Sequence, residues 1–155
     1  MILNRQRAVR VARRPLELFL ARVRRELGIG EADVTICFVS DAEIARMNQA
    51  FRKKKGPTDV LSFPAIDRRL PVSLPQRRKP GIASPRSKAE AFLGDVAISP
   101  ATARRNAKKL GRTLPGELQI LILHGVLHLL GYDHEADHGE MDRVEAQLRR
   151  QLRLT

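Results

Sequence analysis

The sequence predicts an α+β fold, a small mixed β-sheet packed against several helices, and two observations indicate it. First, segments with apolar residues at helical spacing alternate with short runs rich in β-branched and aromatic residues. Second, these segments do not repeat as regular β-α-β units, which favours helices packed on a small sheet. The length of 155 residues fits one domain, which we expect to span residues 1–155.

The N-terminal half of the chain predicts two helices and two strands. The first helix lies between Pro15, which suits a first turn, and Gly28, which suits a stop. The second begins after Ser40, a residue that caps helices, and Glu43 follows in the capping-box position. In order, we expect a helix at 13–27, a strand at 34–39, a helix at 41–51 and a strand at 59–63.

The C-terminal half predicts one strand and three helices. Ser99 and Pro100 form a helix start, and Gly111 is a stop. A long apolar helix then ends at Gly131, and an amphipathic helix follows it. In order, we expect a strand at 93–99 and helices at 100–110, 114–130 and 137–154. Between the two halves, prolines and basic residues predict a long, exposed, basic loop at about 66–91.

Net charge narrows the class of partner. The chain holds 29 Lys and Arg residues against 17 Asp and Glu residues, a formal net charge of +12. Such a surface attracts polyanions, so the charge favours nucleic acid, with an anionic membrane as the alternative. Aromatic residues make up only 4% of the chain, with no Trp, which argues against a single-strand binder built on stacked rings. We therefore expect contacts with nucleic acid mostly through phosphates.

The sequence also predicts a cytoplasmic protein without membrane association. No apolar run approaches the roughly 20 residues that span a bilayer, and no signal peptide is visible. The one cysteine, Cys37, cannot form an internal disulfide, and its apolar surroundings in the sequence indicate a core residue. These features favour a reducing, cytosolic setting.

Three of the four histidines have the spacing of a metal site on a helix and the turn after it. His124 and His128 are four residues apart on a predicted helix, so their rings project from one face. Gly131 can reverse the chain and return His134 as a third ligand. Three protein ligands with an open fourth position are typical of catalytic zinc, although imidazoles also suit nickel, copper and iron. We therefore expect one zinc ion that serves hydrolysis.

Alternatives to a catalytic metal stay open at this point. The histidines could pack in the core, or a structural metal could use Asp133 or His138 as a fourth ligand. Asp133 and Glu135 could instead orient an imidazole by hydrogen bonding, and Asp95 could do so or pair with an arginine. A peptidase is disfavoured, because Gly125 stands where the metalloprotease signature has its glutamate.

Four blocks of the sequence form a recognisable set: 124–134 (HGVLHLLGYDH); Asn48, Arg52 and 57–64 (PTDVLSFP); 93–96 (LGDV) with Ile98; and 2–6 (ILNRQ). Together they resemble the YbeY family of bacterial endoribonucleases. They follow the family's order and are spread over most of the chain. The 66–91 loop departs from the family, because it is longer and more basic than the family usually shows.

The resemblance implies a metal and an activity. The family folds as an α+β domain and binds a metal, usually taken to be zinc, through histidines that match His124, His128 and His134. Its members are regarded as single-strand-specific endoribonucleases that mature the 3′ end of the small-subunit ribosomal RNA and act in ribosome quality control. The implied partners are single-stranded ribosomal RNA and the ribosome or its small subunit. The alternative is a non-catalytic ribosome assembly factor with a structural metal.

The resemblance also gives a role to Arg52, which matches the family's functional arginine. A guanidinium grips a phosphate with two hydrogen bonds and could stabilise the charge of a pentavalent transition state. We therefore expect Arg52 and His124 to be catalytic, whereas Thr58 and Asp59 are expected only to cap a turn. RNA contacts are expected from Arg52, Lys53, Lys54 and Lys55.

The long loop offers a further hypothesis, an accessory RNA contact, with a solvated insertion as an equal alternative. Its charge is the reason for the hypothesis, because cations along a loop can bind phosphates without reading bases. The basic residues are Arg68, Arg69, Arg77, Arg78, Lys79, Arg86 and Lys88.

Overall fold

The computed structural model describes residues 1–30, 32–65, 92–133 and 135–154. These residues form four strands and five helices. The strands are β1 (Ile2–Asn4), β2 (Asp33–Phe38), β3 (Val60–Pro64) and β4 (Phe92–Ile98). The helices are α1 (Arg13–Glu26), α2 (Asp41–Arg52), α3 (Pro100–Leu110), α4 (Leu114–Leu129) and α5 (Glu140–Gln151). The predicted 66–91 loop and His134 lie outside the described residues.

The strands form one mixed sheet in the order β1-β2-β4-β3. The first three of these are parallel to one another, and β3 runs antiparallel to β4 at one edge. The predicted α+β class is therefore confirmed. Among the described helices, none is long and apolar enough to cross a membrane.

The two faces of the sheet carry different layers of helix, because successive side chains of a strand point to opposite faces. Val96 and Ile98 of β4 belong to the main core, which contains buried residues of α1, α4 and α5. Ala97 lies between them in sequence and points the other way, into a smaller cluster that includes Ile44 of α2. Helices α2 and α4 therefore lie on opposite faces of the sheet.

Hydrogen bonds at the helix starts confirm most of the predicted boundaries. The Ser40 hydroxyl accepts the Glu43 N–H at 3.1 Å, and the Ser99 hydroxyl accepts the Thr102 N–H at 3.3 Å. The start of α5 differs from the prediction, because it begins at Glu140 rather than 137. The Asp137 carboxylate accepts N–H groups from the residues two and four positions later, at 2.8 Å each, and this turn delays the helix.

Asp41 ties the start of α2 to the start of α3. Its carboxylate accepts hydrogen bonds from the hydroxyls of Ser99 and Thr102 at 2.6 and 2.7 Å, and from Arg105 at 2.9 Å. Burial acts to raise the pKa of Asp41, but these hydrogen bonds outweigh it and hold the pKa below its usual value. The carboxylate is therefore charged at neutral pH, and α2 is anchored firmly at its N-terminal end.

A close approach of α4 to the sheet occurs at Gly125. A Cβ atom there would lie 2.5 Å from the Cγ1 atom of Val96, closer than side chains pack. The Ser62 hydroxyl of β3 also donates to the Gly125 carbonyl at 2.9 Å. Gly125, which argued against a peptidase because it replaces a glutamate, therefore allows α4 to pack closely on the sheet. This packing fixes the position of the neighbouring His124 beside the sheet.

Candidate metal centre

Two histidines of α4 point ring nitrogens at one another. The Nε2 atoms of His124 and His128 are 3.0 Å apart. The ring centroids are separated by 4.6 Å and the ring planes are inclined by 78°. The four-residue spacing in the sequence therefore produces the convergence that it predicted.

The other nitrogen of each ring faces a hydrogen-bond acceptor. The Nδ1–H of His124 donates to Glu145 Oε2 at 3.2 Å, and that of His128 donates to the Tyr132 carbonyl at 2.9 Å. A carbonyl and an ionised carboxylate can only accept, so both rings carry their proton on Nδ1. The two Nε2 atoms therefore face each other, where they can share a proton in a hydrogen bond or bind a metal ion in its place.

The arrangement fits a transition-metal ion. Two nitrogens bound to one tetrahedral zinc at about 2.0–2.1 Å are roughly 3.3–3.4 Å apart, close to the observed 3.0 Å. Imidazoles that bind metal usually donate their second N–H to a carboxylate or a backbone carbonyl, and these two rings have one partner of each kind. His124 is 25% exposed, so solvent and substrate can reach this ring.

The third predicted ligand cannot be compared with this pair, because His134 lies outside the described residues. Within the described parts of the chain, no group of three or more His, Cys, Asp or Glu side chains has the placement of a metal site. The turn that should return His134 is present, since Gly131 adopts a φ of 95°. The three-histidine site therefore stays a prediction, and what the structure describes is the approach of the His124 and His128 Nε2 atoms.

Glu145 is the functional residue that the sequence reasoning missed. It lies on α5, is 13% exposed, and holds the His124 ring by its Nδ1–H. A signal was available, because Glu145 is placed between Met141 and Leu148 on the apolar stripe of an amphipathic helix. A carboxylate on the inward face of a helix requires a partner, and a histidine is a suitable one.

The charge around His124 is negative. The hydrogen bond to Glu145 raises the pKa of His124 above its usual value, against the opposing effect of burial. The charges of Glu145, Asp59 and Asp142 raise it further. The same negative surroundings that stabilise a protonated ring also stabilise a metal cation at this position.

Asp59 makes contacts that the turn-capping role expected for it does not explain. Its Oδ2 atom accepts a hydrogen bond from the Asn106 amide at 3.3 Å, and the Thr58 hydroxyl donates to Oδ1 at 3.4 Å. Since its charge also affects the pKa of His124, it belongs to the surroundings of the histidine pair. The Asp59 carboxylate, which directly precedes β3, and the Asn106 amide of α3 therefore both belong to the site.

The two predicted orienting carboxylates have other placements. Asp133 accepts the Glu135 N–H at 3.0 Å within the turn after α4, the arrangement of a local turn. Asp95 is exposed on β4, where it points to the same face as Ala97, whereas Gly125 of α4 packs against Val96 on the other face. Its expected role toward a histidine is therefore not supported, because strand alternation turns it away from α4.

The predicted RNA-binding residues form the end of α2 and the turn after it. Arg52 is the last residue of the helix and Lys53 is its C-cap, with a left-handed φ of 55°. Residues 52–56 are all exposed. Helix α2, which ends in this turn, lies on the opposite side of the sheet from α4, which carries the histidine pair. Edge strand β3 runs between them, since Ser62 contacts α4 and Phe63 contacts Phe51 of α2.

Comparison with known proteins shows the family of this chain. A sequence model of the family Endoribonuclease YbeY matches residues 2–153. The chain belongs to the YbeY family. A relative from Koribacter versatilis, named Endoribonuclease YbeY, is 40% identical over 154 residues, which cover 99% of this chain and 86% of the relative. A relative of the same name from Solibacter usitatus is 41% identical over 150 residues, or 96% of this chain and 86% of that protein.

A solved structure supports the family fold. The solution structure of TM1509 from Thermotoga maritima matches with a TM-score of 0.59 and 26% sequence identity. The match covers 97% of this chain and 87% of that one. The α+β architecture is therefore shared with that structure along nearly the whole of this chain.

Replacing Glu145 with glutamine is expected to weaken zinc binding by about 10–100-fold. The substitution keeps the size of the side chain but removes the charge that holds the His124 Nδ1–H and favours a cation. Zinc affinity is measured by competition with a chromogenic chelator. The control is Glu140→Gln, which removes a charge from the first turn of the same helix. Equal affinities for the two variants would contradict the orienting role.

Proposed function

We propose that this chain is a metal-dependent endoribonuclease that cleaves single-stranded RNA in the cytoplasm. Its proposed substrate is ribosomal RNA at the 3′ end of the small-subunit RNA, met on the ribosome or its small subunit. The observation that carries the proposal is the convergence of two Nε2 atoms at 3.0 Å with both Nδ1 donors anchored. Membership of a family whose matched relatives are named endoribonucleases supports it.

One zinc ion, or another divalent transition metal, would be held by His124 and His128, with His134 as the third ligand. When bound, such an ion supplies Lewis-acid chemistry, which activates water at neutral pH and polarises a phosphoryl oxygen. The negative surroundings of His124 favour an ion of positive charge. The hydrogen bonds to Glu145 and to the Tyr132 carbonyl keep both imidazoles in the tautomer that presents Nε2.

The remaining residues bind and orient the RNA. The net charge of +12 attracts the polyanion and speeds its encounter with the protein. Arg52 and the three lysines that follow are exposed and bind phosphates, and the guanidinium does so with two hydrogen bonds. Asp59, fixed by Asn106, lies near His124 and can orient a polar group of the substrate or a water molecule.

These roles require the RNA to pass the edge of the sheet. Arg52 and His124 lie on helices at opposite faces of the sheet, with edge strand β3 between those helices. A flexible single strand can bend around such an edge, whereas a stiff duplex does so at a high cost in bending energy. The fold therefore supports a preference for single strands.

The test is metal analysis of the purified protein, together with cleavage of matched single-stranded and duplex RNA. We expect about one equivalent of transition metal, cleavage of the single strand alone, loss of cleavage with chelator, and recovery on adding zinc. End-group analysis of the products distinguishes attack by water from attack by the 2′-hydroxyl. Cleavage that persists in chelator would overturn the metal dependence. An inactive protein that retains a tightly bound metal would favour the non-catalytic assembly factor instead.

A further inference from the structure

An exposed aromatic ring, that of Phe51, lies beside the basic turn formed by residues 52–56. Phe51 lies in the last turn of α2 and is 69% exposed, the largest exposed fraction among the large hydrophobic side chains of the described residues. Single exposed apolar side chains are ordinary on protein surfaces. This one differs because the next four residues, 52–55, are all cations. An aromatic face beside a row of cations is the composition that binds single-stranded nucleic acid.

The position of the Phe51 ring is fixed by edge strand β3. Its centroid lies 5.0 Å from that of Phe63, and the two ring planes are inclined by 71°. Such an edge-to-face pair stabilises both rings. Because Phe63 is itself packed against the smaller core cluster, it anchors Phe51 to the sheet while the Phe51 ring remains exposed.

The basic turn is also held in place by hydrogen bonds to α2. The backbone carbonyl of Asn48 accepts the N–H groups of Lys53 and Lys54, the latter at 3.3 Å. The Asn48 amide donates to the Gly56 carbonyl at 3.0 Å, and this asparagine is only 4% exposed. The backbone carbonyl of Asn48 thus holds the start of the turn, and its buried side-chain amide holds the end, against α2. The backbone that carries the cations is therefore held at a fixed position relative to the ring, which favours binding of a base and its phosphates together.

We propose that Phe51, supported by Phe63, is a stacking site for an unpaired nucleobase of the RNA whose phosphates bind residues 52–55. The proposal rests on the proposed endoribonuclease function and deepens it, because it names a source of the preference for single strands. A duplex hides its base faces, whereas an unpaired base can leave its own stack and cover an aromatic ring. Asp95, the cross-strand neighbour of Phe63, places a negative charge there, which favours an uncharged base over a phosphate.

The site also lies on the path that the RNA has to follow. Phe63 contacts Phe51 on one face of β3, and the preceding residue, Ser62, contacts Gly125 of α4 on the other. A strand of RNA that is stacked on Phe51 therefore begins at the edge around which it must pass to reach His124. Stacking there holds the nucleotide before the bend in a single orientation.

The first experiment measures binding rather than cleavage. Affinities for a single-stranded oligoribonucleotide and its duplex are measured over a range of salt concentrations, in a His124→Gln background that prevents cleavage. Phe51→Ala is expected to weaken binding of the single strand by at least about fivefold. Duplex affinity and the salt dependence should be unchanged. The matched control is Leu110→Ala, which removes an apolar side chain that is 58% exposed at the end of α3.

A second variant separates the ring from the charges. Replacing Lys53, Lys54 and Lys55 together with glutamine is expected to weaken both single strand and duplex. It should also flatten the dependence of log affinity on log salt by roughly 0.7 per lost contact for the single strand. The proposal is overturned if Phe51→Ala binds the single strand as the Leu110→Ala control does. It is also overturned if Phe51→Ala loses single strand and duplex equally.

A fluorescence measurement covers the case in which Phe51→Ala alters the fold. The chain contains no Trp, so Phe51→Trp introduces a single reporter that retains a stacking surface. Its emission should be quenched by the single-stranded oligonucleotide and not by an abasic oligonucleotide of the same length. Equal quenching by both would overturn stacking. Failure of the wild-type protein to cleave RNA would overturn the proposed function instead, and would leave these binding results intact.

Discussion

Replacing His124 with glutamine is expected to abolish metal binding at the proposed site and to lower cleavage of single-stranded RNA by more than about a hundredfold. The reason is that His124 supplies one of two converging nitrogens. Loss of a group that merely orients a ligand already costs about 10–100-fold. Glutamine retains a donor for the Glu145 carboxylate, which is 13% exposed and would be costly to leave unpaired. The variant should therefore keep its fold, as measured by circular dichroism.

The matched control for this substitution is His138→Gln. His138 is an exposed histidine in the segment before α5, so its replacement should leave metal content and cleavage unchanged. Equal loss of metal in both variants would indicate a closed site with His138 as a ligand, and would contradict the open catalytic arrangement. Unchanged cleavage in His124→Gln would contradict the catalytic role of the histidine pair.

Replacing Gly94 with alanine is expected to destabilise the fold by about 2–5 kcal/mol, because backbone strain and overpacking act at one position. Gly94 has a φ of 137°, a region that side chains disfavour. An added Cβ would lie 2.3 Å from the Phe63 carbonyl oxygen and 2.9 Å from Leu129 Cδ2. A loss of this size is a large part of the roughly 5–15 kcal/mol that stabilises a typical domain. Urea denaturation measures the change in the free energy of unfolding.

Gly111→Ala is the control that separates strain from crowding. Gly111 also has a left-handed φ, 67°, but nothing lies within 4 Å of the Cβ that alanine would add. Its cost should therefore be limited to about 1–2 kcal/mol of backbone strain. If Gly94→Ala proved no more destabilising than Gly111→Ala, then β3 and α4 would be able to move apart at little cost. The close packing inferred at that point of the sheet would then be wrong.

The local features of the fold were predictable from the sequence. Helix starts such as Ser40 and Ser99 were confirmed because a cap and its partner N–H are only three residues apart. The start of α5 was predicted too early, at 137 rather than Glu140, because the sequence pattern does not show that the Asp137 carboxylate accepts N–H groups of the residues after it. There, a side chain competed with the backbone for the same donors.

The candidate site also combines features that the sequence predicted with features that it did not. The family was recognisable from short blocks of residues, and the comparisons confirm it. Zinc and the third ligand His134 stay predictions. Glu145 was missed because its partner is 21 residues away on another helix. Asp59 was underrated because nothing local links it to His124, and its charge reaches the ring only after β3 and α4 have packed.

By itself, the sequence determined the convergence of His124 and His128, since helical periodicity alone places residues four apart on one face. It also determined the basic turn after α2. Only the tertiary structure decided which face of the sheet each helix covers, and with it the face of β4 on which Asp95 lies. The physical reason is that the alternation of side chains along a strand shows which residues share a face of the sheet, but not which helix covers that face. Which face meets which helix depends on the packing of apolar surfaces from distant parts of the chain.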